Sequence, residues 1–369
     1  MNAFCILFSD NYFSTKMSEI SDIRTLASVP FGGRFRLVDF MLSSLVAAKV
    51  NSIGIVARNK YGSLMDHVGW GKDWDLNRKN GGIKFLTPFI QDANTIMGEN
   101  KFEALNSIME YIKTSLPEYC LICDSNMVFN MDLQDFMRAH EAKGADISFV
   151  YKRMIPQQKD LEVSIDCDGK VYDALYHTSD GNEEKDVVMT MILLKKDLLV
   201  SLVEQGITYG WDSIKKDIIA KQFNNYKICG YKADGYMAVI RSVTDYYNAS
   251  MDLLKSGVRK ELFMNDIPVF TRIKDSVPTI YGEHCHIKNS LIADGCNIDG
   301  MVENCIIFRD VKVEKGAILK NSIIMQNTKV GKNSLLSHVI TDKDVTISDD
   351  KILAGTESVP FIINKSSCV

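Results

Sequence analysis

Between residues 287 and 340 this chain repeats itself, and the period of the repeat excludes most folds. The segments Ile287-Lys-Asn-Ser-Leu-Ile292, Val302-Glu-Asn-Cys-Ile-Ile307, Leu319-Lys-Asn-Ser-Ile-Ile324 and Leu335-Leu-Ser-His-Val-Ile340 superimpose, with starts 15, 17 and 16 residues apart. Ile306, Ile318, Ile324, Val330 and Leu336 fall on a single six-residue register in which Lys312 is out of type. A helix repeats every ~3.6 residues and a flat strand every ~2, so neither accounts for six. A parallel coil does, because three hexapeptides make one turn and stack their aliphatic residues inward. The pattern predicts a short left-handed β-helix of about four turns.

Upstream the periodicity is of another kind. Phe4 to Phe8, Ser52 to Ala57, Tyr119 to Cys123, Asp146 to Val150 and Val187 to Leu194 are short apolar runs that read as strands. Between them Leu37 to Lys49, Glu103 to Ser115, Leu133 to Lys143, Lys196 to Gln205 and Ile214 to Phe223 carry apolar residues at helical spacing. Alternation of this sort predicts an α/β domain built of βαβ units around a mostly parallel sheet. Ligands bind at the carboxyl ends of such strands, which directs attention to the loops after Phe8 and Cys123. With 369 residues the chain exceeds what one core supports. The expected division is 1–254 for the α/β domain, 255–281 for a linker containing Gly257, Pro268 and Pro278, and 282–369 for the coil.

Composition narrows the function classes. There are 43 basic and 47 acidic residues with no block of like charge, which argues against nucleic acid as a partner. The opening run Phe4 to Phe8 is too short for a signal sequence or a membrane span, so no membrane partner and a cytoplasmic location are expected. Nine scattered cysteines fit reduced, buried thiols, and Cys120-Leu-Ile-Cys123 reads as part of a strand rather than a redox motif. His284-Cys285-His286 lacks the further ligands that a metal would need, and His338, alone in the coil, reads as structural rather than as an acyl-transfer base.

The stretch Val29-Pro-Phe-Gly-Gly-Arg-Phe-Arg-Leu-Val-Asp-Phe-Met-Leu-Ser-Ser44 resembles the PFGGxyRLIDFxLSN segment of ADP-glucose pyrophosphorylases, the glucose-1-phosphate adenylyltransferases. Trp74-Asp-Leu76, Gly81-Gly-Ile83, Thr87-Pro-Phe89, Met131-Asp-Leu133, Lys216-Asp-Ile-Ile219 and Met251-Asp-Leu-Leu254 resemble the same family in the same order. The resemblance implies a Rossmann-like nucleotidyltransferase domain with a mostly parallel mixed sheet, a C-terminal left-handed β-helix, and a tetramer working in bacterial glycogen synthesis.

Against that family the catalytic positions depart in one direction. Joining a sugar phosphate to a nucleotide gathers negative oxygens, so the reaction needs a phosphate-cradling loop, cations and a metal. Where the family has glycine-rich AGGxGxRL, this chain has Phe8-Ser-Asp-Asn-Tyr-Phe-Ser14, without glycine and with Asp10 facing the phosphate position. The AKPAV lysine aligns with Leu26, the GTAxA segment with Asn100 to Ala104, and the EKP motif with Leu175-Tyr-His177. Phe102 thereby stands where the family has a small residue and is expected to fill space that a base or ribose needs. The two metal-binding aspartates align with Asn126 and Val239. An amide carries no charge and a valine cannot ligate, so no metal is expected on this chain, Mg²⁺ being used by a catalytic partner.

Asp124, two residues before Asn126, is either a replacement ligand or a loop carboxylate. Lys216 and Asp217 match the family's KDIIP element, as residual pocket or as a packed helical turn. Arg24, Arg34 and Arg36 cluster near the Gly32-Gly33 turn. Family members bind phosphorylated effectors with arginines that match Arg24 and Arg36; the alternative here is an interdomain ion pair. The resemblance is nearest to the family's non-catalytic, regulatory branch in Firmicutes, which implies a heterotetramer with a catalytic glucose-1-phosphate adenylyltransferase chain. Two other readings stay open: an active pyrophosphorylase remodelled around Asp124, and a ligand-sensing homo-oligomer.

Overall fold

The apolar runs of the first half pair into one nine-stranded sheet. The computed structural model describes residues 2–10, 17–79, 81–88 and 100–369. Strands Gly82–Leu86, Ser52–Val56, Ala3–Phe8 and Tyr119–Asp124 lie side by side and parallel, in that order. Lys185–Lys195 then runs antiparallel to Tyr119–Asp124, and Ile147–Met154 is antiparallel to it and parallel to Ile228–Lys232. Ala3–Phe8 is buried along its whole length because the strand is covered on both faces. Cys5 and Leu7 meet Val38, Met41 and Leu42 on one side, while Phe4, Ile6 and Phe8 meet Ile112 and Leu202 on the other. Cys120 and Cys123 divide between these two cores, and burial pushes both thiols well up, as expected of inert packing groups.

Helices Leu37–Ala47, Leu133–Lys143 and Lys196–Tyr209 occupy the expected positions. Other elements differ from expectation. Glu103 to Ser115 is two helices, Lys101–Ser107 and Met109–Thr114, divided at Ile108, whose backbone leaves the helical region. Ile214 to Phe223 opens as a π-helical turn over Ile214–Ile219, where the Asp217 carboxylate accepts from the N–H groups of Asp212 and Ser213. The segment read as a linker contains helix Ser256–Phe263, whose Leu262 is buried, and ends in the first coil strand, Ile280–Tyr281. An eight-residue helix is too short to declare a period against the glycine at 257.

From residue 280 the chain winds through five coils, each side of which contributes one strand to one of three five-stranded parallel sheets. The observed register corrects the expected one. Leu319 stacks on Leu336, not Leu335, and Ile318 stacks on Leu335. The inward column is Val302, Leu319, Leu336 on one side and Val313, Val330, Ile347 on another. Ile324 follows Leu319 after five residues rather than six, so a strict hexad slips by one there and wrongly places Ile318 inside. Asn289, Asn304, Asn321 and His338 hold positive φ at one corner, and their side chains hydrogen-bond in a ladder. His338 is the last member of that ladder, which accounts for a histidine with no catalytic surroundings.

One side of the coil packs on the α/β domain. Leu291, Ile306, Ile323, Ile340 and Ile362 share an apolar cluster with Phe31, Phe40, Tyr246 and Leu262. The Tyr246 hydroxyl donates to the Pro30 carbonyl within the domain, and Tyr247 donates across the boundary to Asn321 O at 2.7 Å.

Candidate functional site

The carboxyl ends of Ala3–Phe8 and Tyr119–Asp124 converge where a ligand is expected, yet protein groups satisfy one another there. Lys101 Nζ lies 2.5 Å from Asp124 Oδ1 and 4.9 Å from the centre of the Phe8 ring, with both charged side chains almost fully buried. Asp10 accepts from Leu26 N at 3.3 Å, and burial raises its carboxyl. Asn11 to Ser14, the rest of the glycine-free loop, and Phe89 of the Thr87-Pro-Phe segment lie outside the described residues.

Asn126 and Val239 are neighbours, as their alignment to a shared metal implies. Strand Met127–Phe129 pairs antiparallel with Met237–Val239, which sets Val239 opposite Met127. The Asn126 amide is spent on protein: Nδ2 donates to Ile240 O at 3.0 Å, while Ile240 N returns a bond to Asn126 O at 2.7 Å. Asp124 faces an ammonium, Asn126 braces a strand and Val239 offers hydrocarbon, so these residues do not fit a divalent cation. Among the described residues no group of three or more His, Cys, Asp or Glu could hold a metal ion.

Phe102 corrects an expectation. Its ring is fully buried against Trp211, 5.6 Å between centres, and over Gly206, in the core rather than in the nucleotide space. It is Lys101, one residue earlier, that reaches the pocket. Nothing in the periodicity marked it, because a lysine at a helix start normally reads as solvated. Nearby, Arg241 pairs with Asp160 at 2.9 Å. Burial pulls Lys215 down to about 8 against the attraction of Asp160 and Asp124.

Lys216 and Asp217 separate in role. Asp217 is buried and, besides its two backbone contacts, accepts from Lys221 at 2.7 Å. Burial alone would raise its carboxyl, but these bonds outweigh it and hold the group below the usual range. Lys216 lines an open cleft with Gln158, Tyr176, His177 and Ser213. There His177 is held by Glu162 at 2.9 Å, and the family's lysine is missing.

The arginine cluster forms a second candidate site, at the seam between the domains. Arg24 Nη2 bonds both oxygens of Asp342, a coil residue, at 2.8 and 2.7 Å, the side chains being 3% and 6% exposed. Its Nη1 is buried without a partner. Arg36 Nη1 donates to Ser63 O and Oγ at 2.5 and 2.8 Å, and burial lowers it to about 10. Arg34 is exposed at the turn, where Gly32 and Gly33 adopt φ of 57° and 85° that favour glycine.

Cations that sequence reasoning missed complete the seam. Lys343 is pulled to about 7 by burial and by Arg36 and Arg24, while Lys274 is lowered by burial, Arg36 and Arg272. Burial and Arg34 lower Arg309, whose Nε is buried without a partner. Arg272 donates to the Asp66 carbonyl. Among their carboxylate neighbours Asp342 is engaged by Arg24 and Asp39 by Arg36 N at 2.9 Å and His67 Nε2 at 2.7 Å, while Asp66, Asp294 and Asp310 also attract cations of the seam.

The sheet order, the strand-end pocket and the parallel coil together define a nucleotidyltransferase-type protein with a hexapeptide-repeat β-helix. A nucleotidyl transferase family model matches residues 13–160, and a GlmU-like, C-terminal hexapeptide model matches residues 276–358. The chain is 37% identical to glycogen biosynthesis protein GlgD of Bacillus subtilis (strain 168), over 97% of this chain and 95% of that one. The Geobacillus stearothermophilus protein of the same name is 36% identical over 93% of this chain and 91% of its own length. Glucose-1-phosphate adenylyltransferase of Clostridium perfringens (strain 13 / Type A) is 28% identical over 79% and 76%. The chain belongs to the GlgD family of glycogen biosynthesis proteins, relatives of the glucose-1-phosphate adenylyltransferases.

Proposed function

We propose that this chain is a non-catalytic, regulatory subunit of a cytoplasmic glucose-1-phosphate adenylyltransferase, acting in glycogen biosynthesis through a catalytic partner chain in a heterotetramer. The Lys101–Asp124 pair carries the reading. In the reaction a divalent cation must neutralise phosphate oxygens beside such a carboxylate. Here the carboxylate is neutralised internally, the adjacent amide is tied to Ile240, and the opposite position is valine. The chain is therefore read as holding no Mg²⁺ of its own.

What the fold retains is a rigid scaffold and the cationic seam. A phosphorylated metabolite bridging Arg36, Lys274, Arg309 and Lys343 would tie coil to α/β domain, and changes there would reach a partner as a coupling free energy. Such couplings are typically about 1–3 kcal/mol, which corresponds to changes of roughly 5- to 150-fold in affinity.

The test is to assay ADP-glucose formation from ATP, glucose 1-phosphate and Mg²⁺ with this chain alone, a catalytic chain alone, and the two combined. Little turnover is expected from this chain, and altered turnover, KM or effector response from the mixture. Robust pyrophosphate release by this chain alone, abolished by Asp124→Asn, would instead establish a remodelled active site. No association and no effect on any catalytic chain would leave a ligand-sensing homo-oligomer.

A further inference from the structure

Two lysines of this chain have unlike surroundings although burial weakens the basicity of both. Lys215 lies among two carboxylates, Asp124 and Asp160, and two cations, Lys101 and Arg241. Lys343, on the coil side of the seam, lies among three cations, Arg24, Arg36 and Lys274, and one carboxylate, Asp342. That carboxylate is already spent. Its Oδ2 faces Arg24 Nη2 at 2.7 Å, and its Oδ1 accepts from both Arg24 Nη2 at 2.8 Å and Lys343 N at 2.7 Å. Arg24 Nη1, on a side chain only 3% exposed, has no acceptor. Among the described residues Lys343 Nζ has no hydrogen-bond or ion-pair partner either. The seam therefore gathers an unpartnered amine, an unpartnered guanidinium arm and a surplus of positive charge, and an oxyanion on Lys343 would answer all of them.

We propose that Lys343 is a carboxylation site, at which carbon dioxide adds to the side-chain amine and the resulting carbamate is held by Arg24, Arg36 and Lys274. The lone pair of the neutral amine attacks the carbon of CO₂ and a C–N bond forms. One C–O π pair moves onto oxygen and one N–H proton leaves to solvent, giving R–NH–COO⁻ and H⁺ with no oxidant, reductant or leaving group. Neighbouring cations and burial supply the neutral amine, since they pull Lys343 to about 7. Other small electrophiles do not fit the surroundings. An acyl group would leave an uncharged amide, and an aldehyde an imine without the oxyanion. Carboxylation alone turns the cation into a planar oxyanion of the kind that a guanidinium accepts. Carbon dioxide is also small and uncharged, as access to a half-buried amine among cations requires. At Lys215 the same product would face Asp124 and Asp160, so the arrangement of charge, rather than weakened basicity, selects Lys343. The carbamate would occupy cations that a phosphorylated metabolite needs, and the two would compete.

The inference goes beyond the regulatory reading and is tested on this chain alone. The purified chain is equilibrated near neutral pH with carbon-13-labelled carbon dioxide, the carbamate is trapped by alkylation with a trialkyloxonium salt, and proteolytic peptides are read by mass spectrometry. Label is expected on Lys343 and not on Lys215. Lys343→Arg keeps a cation in place and should lose the label entirely. Lys274→Gln changes an exposed side chain, so the fold should persist, and it should lower occupancy of Lys343 by roughly two- to fivefold, the effect of one partly solvated charge. No label on Lys343 at saturating carbon dioxide would overturn the proposal, as would equal labelling of Lys215 or an occupancy unmoved by Lys274→Gln. Stabilisation against urea by bicarbonate without any label would assign the place to a free anion and refute the carbamate.

Discussion

Asp342→Ala removes the carboxylate that joins the coil to Arg24, and its consequence follows from the geometry of the pair. Arg24 Nη2 lies 2.8 and 2.7 Å from the two oxygens, with side chains 3% and 6% exposed, so solvent does not screen the loss. Asp342 Oδ1 also accepts from Lys343 N at 2.7 Å. After substitution the guanidinium stays buried beside Arg36 and Lys343 with no counter-charge. Removing one partner of a buried pair costs about 3–5 kcal/mol, because an uncompensated charge remains. Replacing both, as in Arg24→Met with Asp342→Leu, removes charge and desolvation penalty together and should cost far less than the sum of the single changes. Urea unfolding of wild type, Asp342→Ala, Arg24→Met and the double variant measures this, and sulfate should restore part of the Asp342→Ala loss by supplying the missing anion. A loss below about 1 kcal/mol for Asp342→Ala, or strict additivity in the cycle, would refute the assignment of the pair as the main electrostatic tie of the seam.

Two further outcomes are expected. Lys343 titrates near 7 in the free protein, so a divalent anion of constant charge should bind more tightly as pH falls from 8 to 6, by up to about tenfold, and Lys343→Met should flatten the dependence. Calorimetric titration with sulfate, whose charge does not change over that range, checks the sign. Gly206→Ala should destabilise despite better helix propensity, since its Cβ would lie 2.3 Å from the Phe102 ring; a loss of about 1–3 kcal/mol in urea unfolding is expected, and a gain would show that the ring moves freely.

Much of the architecture was legible along the chain because it rests on local periodicity. A run such as Phe4 to Phe8 is apolar at every position only if both faces of its strand are covered, and the sheet covers both. The coil announced itself through repetition, yet the register was misread at Ile318 and Leu335, because the five-residue side from Leu319 to Ile324 breaks a strict hexad and Leu319 and Leu336 stand 17 residues apart rather than 16. The helix after Lys255 escaped notice because it is short. At the site, the alignment of Asn126 and Val239 with the family's metal positions was readable from the resemblance, whereas the use of Lys101 in place of Phe102 was not. Neighbouring residues on a helix point in different directions, and only packing determined which one reached Asp124.

By itself the sequence determined the α/β half and the β-helix, since each is written in spacing over a few residues, while the reading of Asn126 and Val239 as replaced acidic positions came from the resemblance to a known family. Tertiary structure alone decided what compensates for those changes and where charge gathers. Lys101 and Asp124 stand 23 residues apart, Arg24 and Asp342 318 apart, and Lys274, Arg309 and Lys343 come from segments that no local pattern links. Coulomb interactions act through space rather than along the chain, so a buried pair or a cationic seam exists only once the coil has closed onto the sheet.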